Sequence, residues 1–146
     1  MLFIFLIAFL LAALTIFIHA AGIALLMRAW RNPKTRITTF AIMRTLLRVI
    51  WWLILLHLAE ITVWALFYLW RGCLPTAETA FYFSGVTYTT VGYGDVVRAK
   101  PWRLLAPLEG LVGVLMCALS MGYFFVVVNR IQQRLPERAA SGTERK

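Results

Sequence analysis

The sequence predicts an all-α membrane protein with three spanning helices and a fourth, short helix that enters the bilayer without crossing it. Three observations carry that expectation. Of the 146 residues, 62% are hydrophobic and 14% charged, and the mean hydropathy is +0.79, a composition outside the soluble range. Residues 2–27, 49–70 and 104–129 are apolar stretches of at least the roughly 20 residues that a helix needs to cross a bilayer. Between the last two lies an aromatic-rich segment too short to span, followed by a run carrying two glycines. The formal net charge of +9 does not point to nucleic acid, because the basic residues sit in short segments beside the apolar runs.

Residues 1–27 form the first span, with Thr15 and His19 as its clearly polar members. The stretch has no positive n-region and its apolar character continues past Ala20, so it is read as a retained helix and not a cleaved leader. Residues 28–48 are a basic segment with Arg28, Arg31, Lys34, Arg36, Arg44 and Arg48, which marks a cytoplasmic side and puts the N-terminus outside. Arg28, Arg31 and Lys34 recur every third residue as voltage-sensing charges do, but Asn32-Pro33 breaks the helix and the run is short. Residues 34–47 read instead as an amphipathic interfacial helix with Ile37, Phe40, Ala41 and Leu47 inward. The second span, 49–70, is flanked by Trp51 and Trp52 at one interface and Trp70 at the other. His57, Glu60 and Thr62 lie inside it, where ionisable groups need partners. His57 and Glu60 share a helix face at i, i+3, and together they are expected to anchor the first helix through His19, with a pH-sensitive role as the alternative.

Arg71 to Pro75 read as a turn, and a short helix is expected over 76–89, with Pro75 and Thr76 at its start and Glu78 in the first turn. The chain then returns to the outer surface over 95–103, with Trp102 as an interface anchor. In the third span, 104–129, Pro107 falls near the start, where it is tolerated. Residues 130–146 form a tail, disordered from Leu135 onward and preceded by Arg130 and Arg134 on the cytoplasmic side. Of the two cysteines, Cys117 is expected to be a small packing residue, and Cys73, near the outer face, leaves open a cross-link between subunits.

The stretch that organises the rest is Thr90-Val91-Gly92-Tyr93-Gly94-Asp95. Successive carbonyls of an extended strand point to opposite sides. Aligning them on one side takes residues that accept positive φ, which Gly92 and Gly94 supply. These six residues, between two expected spans, resemble the signature of potassium-channel pore loops. The resemblance covers residues 49–129 and is to the bacterial two-helix type, with residues 1–27 as an additional transmembrane helix. It implies an outer helix over 49–70, a pore helix over 76–89, a selectivity filter over 90–94 and an inner helix over 104–129. It further implies a fourfold homotetramer, because one copy of the loop cannot encircle an ion. K+ is then the permeant ion, held by Thr90, Val91, Gly92 and Tyr93, and no organic cofactor is expected.

On the same resemblance Asp95 braces the pore helix through Tyr82 or a water, and Glu109 accepts hydrogen bonds behind the filter. The glutamate that some members place four positions before the filter threonine is Val86 here, so any behaviour that depends on that carboxylate pair is in doubt. Gly113 falls within one residue of the family's hinge glycine and Gly122 is a second candidate, each being a hinge or a packing contact. Ser120 and Met121 are expected at the cavity, and Phe124 or Val128 at an apolar constriction. Localisation is expected in a bacterial inner (plasma) membrane, multi-pass, with the C-terminus cytoplasmic. Nothing in the sequence has the pattern of a hydrolytic or pumping site, and no regulatory partner is identified. The rival readings are a potassium-uptake transporter, a weakly selective cation channel and a non-conducting scaffold or channel subunit.

Overall fold

A computed structural model describes residues 2–29, 38–96 and 102–143, with side chains as far as 133. Its elements are α1 (Leu2–Ala29), α2 (Thr39–Trp70), α3 (Ala77–Tyr88), one 3-10 turn (Trp102–Leu104) and α4 (Leu105–Thr143). No strand occurs among the described residues, and Leu2–Ala29, Thr39–Trp70 and Trp102–Gln133 are each long and apolar enough to cross a membrane. Arg31, Asn32, Pro33, Lys34, Arg36 and Ile37, residues 97–101 and residues 144–146 lie outside the described residues.

Two expected boundaries move. The interfacial helix and the second span are one helix from Thr39, because no glycine or proline separates them; Thr38 caps it, its Oγ1 accepting from the Ala41 N–H at 3.2 Å. At the other end of the chain, α4 runs through residues expected to be a disordered tail, as far as Thr143, the last described residue. Gln132, Gln133, Arg134, Glu137 and Arg138 are good helix formers, and they carry the helix past Pro136 despite its missing N–H. α2 ends as its sequence dictates. Gly72 takes φ +61°, the Cys73 N–H donates to the Tyr68 carbonyl at 2.9 Å and the Gly72 N–H to that of Leu69 at 3.0 Å, closing a glycine C-cap.

α1 packs on α2 and α4 of its own chain. Its buried residues, Ile4, Ala8, Leu11, Thr15, His19, Gly22 and Leu26, recur at three and four and form one stripe. The facing stripe of α2 is Val49, Leu53, Leu56, Glu60, Trp64 and Tyr68. The two run antiparallel, with Gly22 against Leu56, His19 against Glu60 and Thr15 against Trp64. Lipid is as apolar as leucine, so helix association here draws on close packing and interhelical hydrogen bonds. Both are present: Trp64 Nε1 donates to Thr15 Oγ1 and Trp52 Nε1 to the Gly22 carbonyl, each at 3.0 Å. At one end Ile4, Ala8 and Leu11 join Tyr68, Phe83 and Leu105, and at the other Leu26 joins Val49, Leu53 and Val127.

The short α3 is wedged between α2 and α4. Gly113 of α4 makes this approach feasible, since a Cβ there would stand 2.0 Å from the Tyr88 carbonyl oxygen. A Cβ at Gly122 would meet nothing within 4 Å in the chain. Gly113→Ala is therefore expected to destabilise the purified protein by about 1–3 kcal/mol, the usual cost of overpacking, while Gly122→Ala stays within about 0.5 kcal/mol. Thermal unfolding of the two variants in the same detergent checks the contrast.

Candidate functional site

α3 begins on Thr76, whose Oγ1 accepts from the Thr79 N–H at 3.1 Å, within a residue of the start the sequence suggests. Its interior is held from both flanks. Ser84 Oγ lies 2.6 Å from Glu109 Oε1 of α4 and 2.9 Å from the Ile61 carbonyl of α2, and Tyr68 of α2 donates to Glu109 Oε2 at 2.5 Å. One turn further on, the Tyr88 hydroxyl donates to Glu60 Oε2 of α2 and lies 3.0 Å from His57 Nδ1. Glu60, Glu109 and Ser84 are fully buried and Tyr88 nearly so, which makes every one of these bonds expensive to lose.

The chain leaves α3 through Thr89, whose N–H donates to the Gly85 carbonyl at 3.1 Å, and through Thr90, whose N–H donates to that of Thr87 at 3.0 Å. The Gly92 N–H turns back to the Val86 carbonyl at 3.0 Å. Thr90, Gly92 and Gly94 take φ of 63°, 52° and 79°, whereas Val91 and Tyr93 between them do not enter the positive range. An alternation of φ sign at every second residue undoes the alternation of carbonyl direction in a strand. Thr90 is the only non-glycine at positive φ among the described residues, a placement that costs free energy and is characteristic of sites where backbone geometry serves a function. Val91 and Tyr93 are exposed on the single chain, Tyr93 to 72%, so a large aromatic ring is left without a covering surface. Beside the run an open groove is lined by Val86, Thr87, Thr90, Gly92, Pro107 and Leu111.

Tyr82 donates to Asp95 Oδ2 at 2.6 Å, tying the run back to α3, while Asp95 Oδ1 accepts from the Val96 N–H at 3.0 Å. The bond to Asp95 pushes the Tyr82 phenol up from its ordinary pKa of 10.0. At the return, Trp102 meets Phe67 edge-on with ring centroids 5.7 Å apart, and the Arg71 guanidinium stands 5.0 Å over its ring.

Several other residues singled out in the sequence lie on α2 and α4. Ser120 does not face a cavity: it is buried, with Oγ 3.0 Å from His57 Nε2, because α1 covers that side of α4. Phe124 is half-buried against Leu26, Val49 and Leu53, and Val128 is also half-buried. Met121 and Phe125, one turn apart, are exposed apolar side chains at that level, as is Val126. Cys117, expected to pack, is exposed. His57 and Glu60 do not form their closest contact with each other, at 3.4 Å; His19 Nδ1 is nearer to the carboxylate at 2.7 Å. Sequence reasoning missed Ser84 and Tyr88 as anchors, although hydroxyls at i and i+4 of an apolar helix were the available signal. Tyr68 and Trp64 carried no such mark, whereas Thr15 stood out as a polar residue four positions before His19 in the first span.

A protein-family model described as "Ion channel" matches residues 52–130, more than half of the chain. No curated protein and no solved structure matches.

Because the folded-state pKa of Tyr82 is raised, its contribution to stability is fully present below the unfolded tyrosine value of about 10 and is lost as pH rises through the folded value. Tyr82→Phe should lower the unfolding temperature at pH 7 and 8, with the gap to wild type closing as the pH is raised above about 10. Melting curves of the two proteins across that range check it.

Proposed function

The chain belongs to the ion-channel family whose model spans residues 52–130, and from that premise we propose that it is a potassium-selective channel conducting K+ passively through a filter built from four copies of residues 90–94. The observation that carries this reading is one run with both the residues Thr90-Val91-Gly92-Tyr93-Gly94-Asp95 and positive φ at Thr90, Gly92 and Gly94. Main-chain oxygens of Thr90, Val91, Gly92 and Tyr93 replace the hydration shell of the ion, and adjacent ions in the file repel one another onward. The C-terminal end of α3 lies immediately before the run, and its partial negative charge favours a cation in front of it.

One chain supplies one oxygen at each level, so the reading requires a ring of chains, and the resemblance to potassium-channel pore loops implies that the ring has four. The exposed Val91 and Tyr93, together with Leu111, Val114, Leu115 and Leu119 on α4, give the apolar surface that such a ring covers. Arg28, Arg44, Arg48 and Arg130 fall at the end where Leu26, Val49 and Val127 pack together. A basic end of that kind supports an inner membrane orientation with N-terminus outside and C-terminus cytoplasmic.

Purified protein in liposomes tests the proposal. K+ flux and a reversal potential that follows the K+ gradient in mixed K+ and Na+ are the expected results, with the protein running as a tetramer. Gly94→Ala, which forces a Cβ onto a residue at φ 79°, should cut K+ flux at least about tenfold without dissociating the assembly. Equal permeation of Na+ would establish a weakly selective channel, and absence of flux from folded tetramers a scaffold; either result overturns the reading.

A further inference from the structure

The conduction path proposed above runs over main-chain oxygens and gives no task to the buried polar cluster beside the run. Four donor groups converge in it from three helices: His19 Nδ1 of α1, His57 Nδ1 and the Glu60 carboxylate of α2, and the Tyr88 hydroxyl of α3. His19 Nδ1 is 2.7 Å from Glu60 Oε1, while His57 Nδ1 is 3.4 Å from Oε2 and 3.0 Å from the Tyr88 hydroxyl. Ligand atoms of His19, His57 and Glu60 all lie within 4.8 Å of one another. His19, Glu60 and Tyr88 are at most 1% exposed.

The far sides of the two imidazoles add an independent observation. Both Nε2 atoms meet the same hydroxyl, Ser120 Oγ, at 3.0 Å from His57 and 3.4 Å from His19. Ser120 has one hydrogen to give. With both rings neutral and protonated at Nδ1 toward Glu60, both Nε2 atoms are acceptors and one of them gets no donor. With His57 protonated at Nε2 instead, Ser120 is satisfied, but His57 Nδ1 faces the Glu60 carboxylate and a Tyr88 hydroxyl whose one hydrogen goes to Glu60. The conflict disappears if both Nδ1 lone pairs are given to a metal ion. Each Nε2 then carries a proton, and the two N–H groups donate to the two lone pairs of Ser120 Oγ, the outer-partner arrangement typical of ligating histidines.

We propose that His19, His57, Glu60 and Tyr88 bind one divalent first-row transition ion of the zinc class per chain, with Ser120 as the shared outer partner of both imidazoles. Two imidazoles and two oxygens, with no thiolate, suit such an ion over a soft monovalent one, and four donors complete a closed tetrahedral site. Charge balances as well. A dication against the Glu60 carboxylate and a Tyr88 phenolate leaves the buried cluster neutral, and the phenolic proton is released to solvent on binding. The ion ties α1 to α2 and to the end of α3, two residues before Thr90, giving the additional helix a defined part in holding the run. The site is independent of which ion the pore selects.

The test uses full-length protein in detergent, stripped with a chelator and titrated with Co2+. One Co2+ per chain is expected, with the strong visible absorption of tetrahedral coordination, displaced by Zn2+ and not by Ca2+. The chain contains two histidines in all, both in the cluster, so histidine-dependent binding is binding here. His19→Cys should keep the ion and add a thiolate-to-cobalt charge-transfer band, whereas Ser120→Ala should weaken binding by about 10–100-fold. Cys73→Ser with Cys117→Ser should leave the wild-type spectrum unchanged. The proposal is overturned if no Co2+ binds, if the bound ion shows only weak octahedral absorption, or if His19→Cys leaves the spectrum as it was. An imidazolium detected by nitrogen NMR in a protein that binds no Co2+ also overturns it, because one added proton satisfies Ser120 equally well.

Discussion

A carboxylate inside a membrane protein has to be met by hydrogen-bond donors, and two such carboxylates determine how this chain is assembled. Glu60 on α2 and Glu109 on α4 are both fully buried, and each reaches α3, Glu60 through Tyr88 and Glu109 through Ser84. Ser84 and Tyr88 are one turn apart on one face of α3, so the short helix is gripped at successive turns by the two helices that flank it. A twelve-residue helix has little stability of its own. The grip supplies what the helix lacks, and the run that follows inherits its position from it.

The same requirement explains α1. Glu60 accepts from Tyr88 and from His19, so part of the demand of a buried carboxylate is met by a helix outside the matched family region. Thr15, Trp64, Gly22 and Trp52 continue the seam on either side. Hydrogen bonds between membrane helices contribute only about 0.6 kcal/mol each on average. Their greater effect is on register, since a slip of α1 by one residue would rotate His19 away from the carboxylate and leave a buried charge unmet. Ser120, by turning to the two histidines, brings α4 into the same cluster.

Local chemistry that repeats along the chain was readable from the residues. The three spans, the turn at Gly72, the cap at Thr76 and the glycine spacing of 90–95 each depend on neighbours within a turn or two, and the structure has them at those places. The contact of Tyr82 with Asp95 is likewise one that the resemblance suggested and the fold contains, and Glu109 does accept from α3, although its partner Ser84 was not foreseen. The misreadings fell where two helices had to be oriented against each other. Ser120 was placed from a helix considered alone, and the arrival of α1 turned it inward onto the two histidines.

By itself, then, the sequence determined a helical membrane protein with a short helix, a glycine-spaced run behind it and an extra apolar helix in front, because hydropathy, caps and glycine dihedrals act over a few residues. Tertiary structure alone decided that Gly113 is filled against the Tyr88 carbonyl, that His19 and not His57 is the nearer partner of Glu60, and that Ser120 serves two imidazoles. Spacing along a helix tells which side chains share a face. The rotation and depth at which that face meets another helix come from packing summed over the whole bundle, and no single stretch of sequence carries that sum.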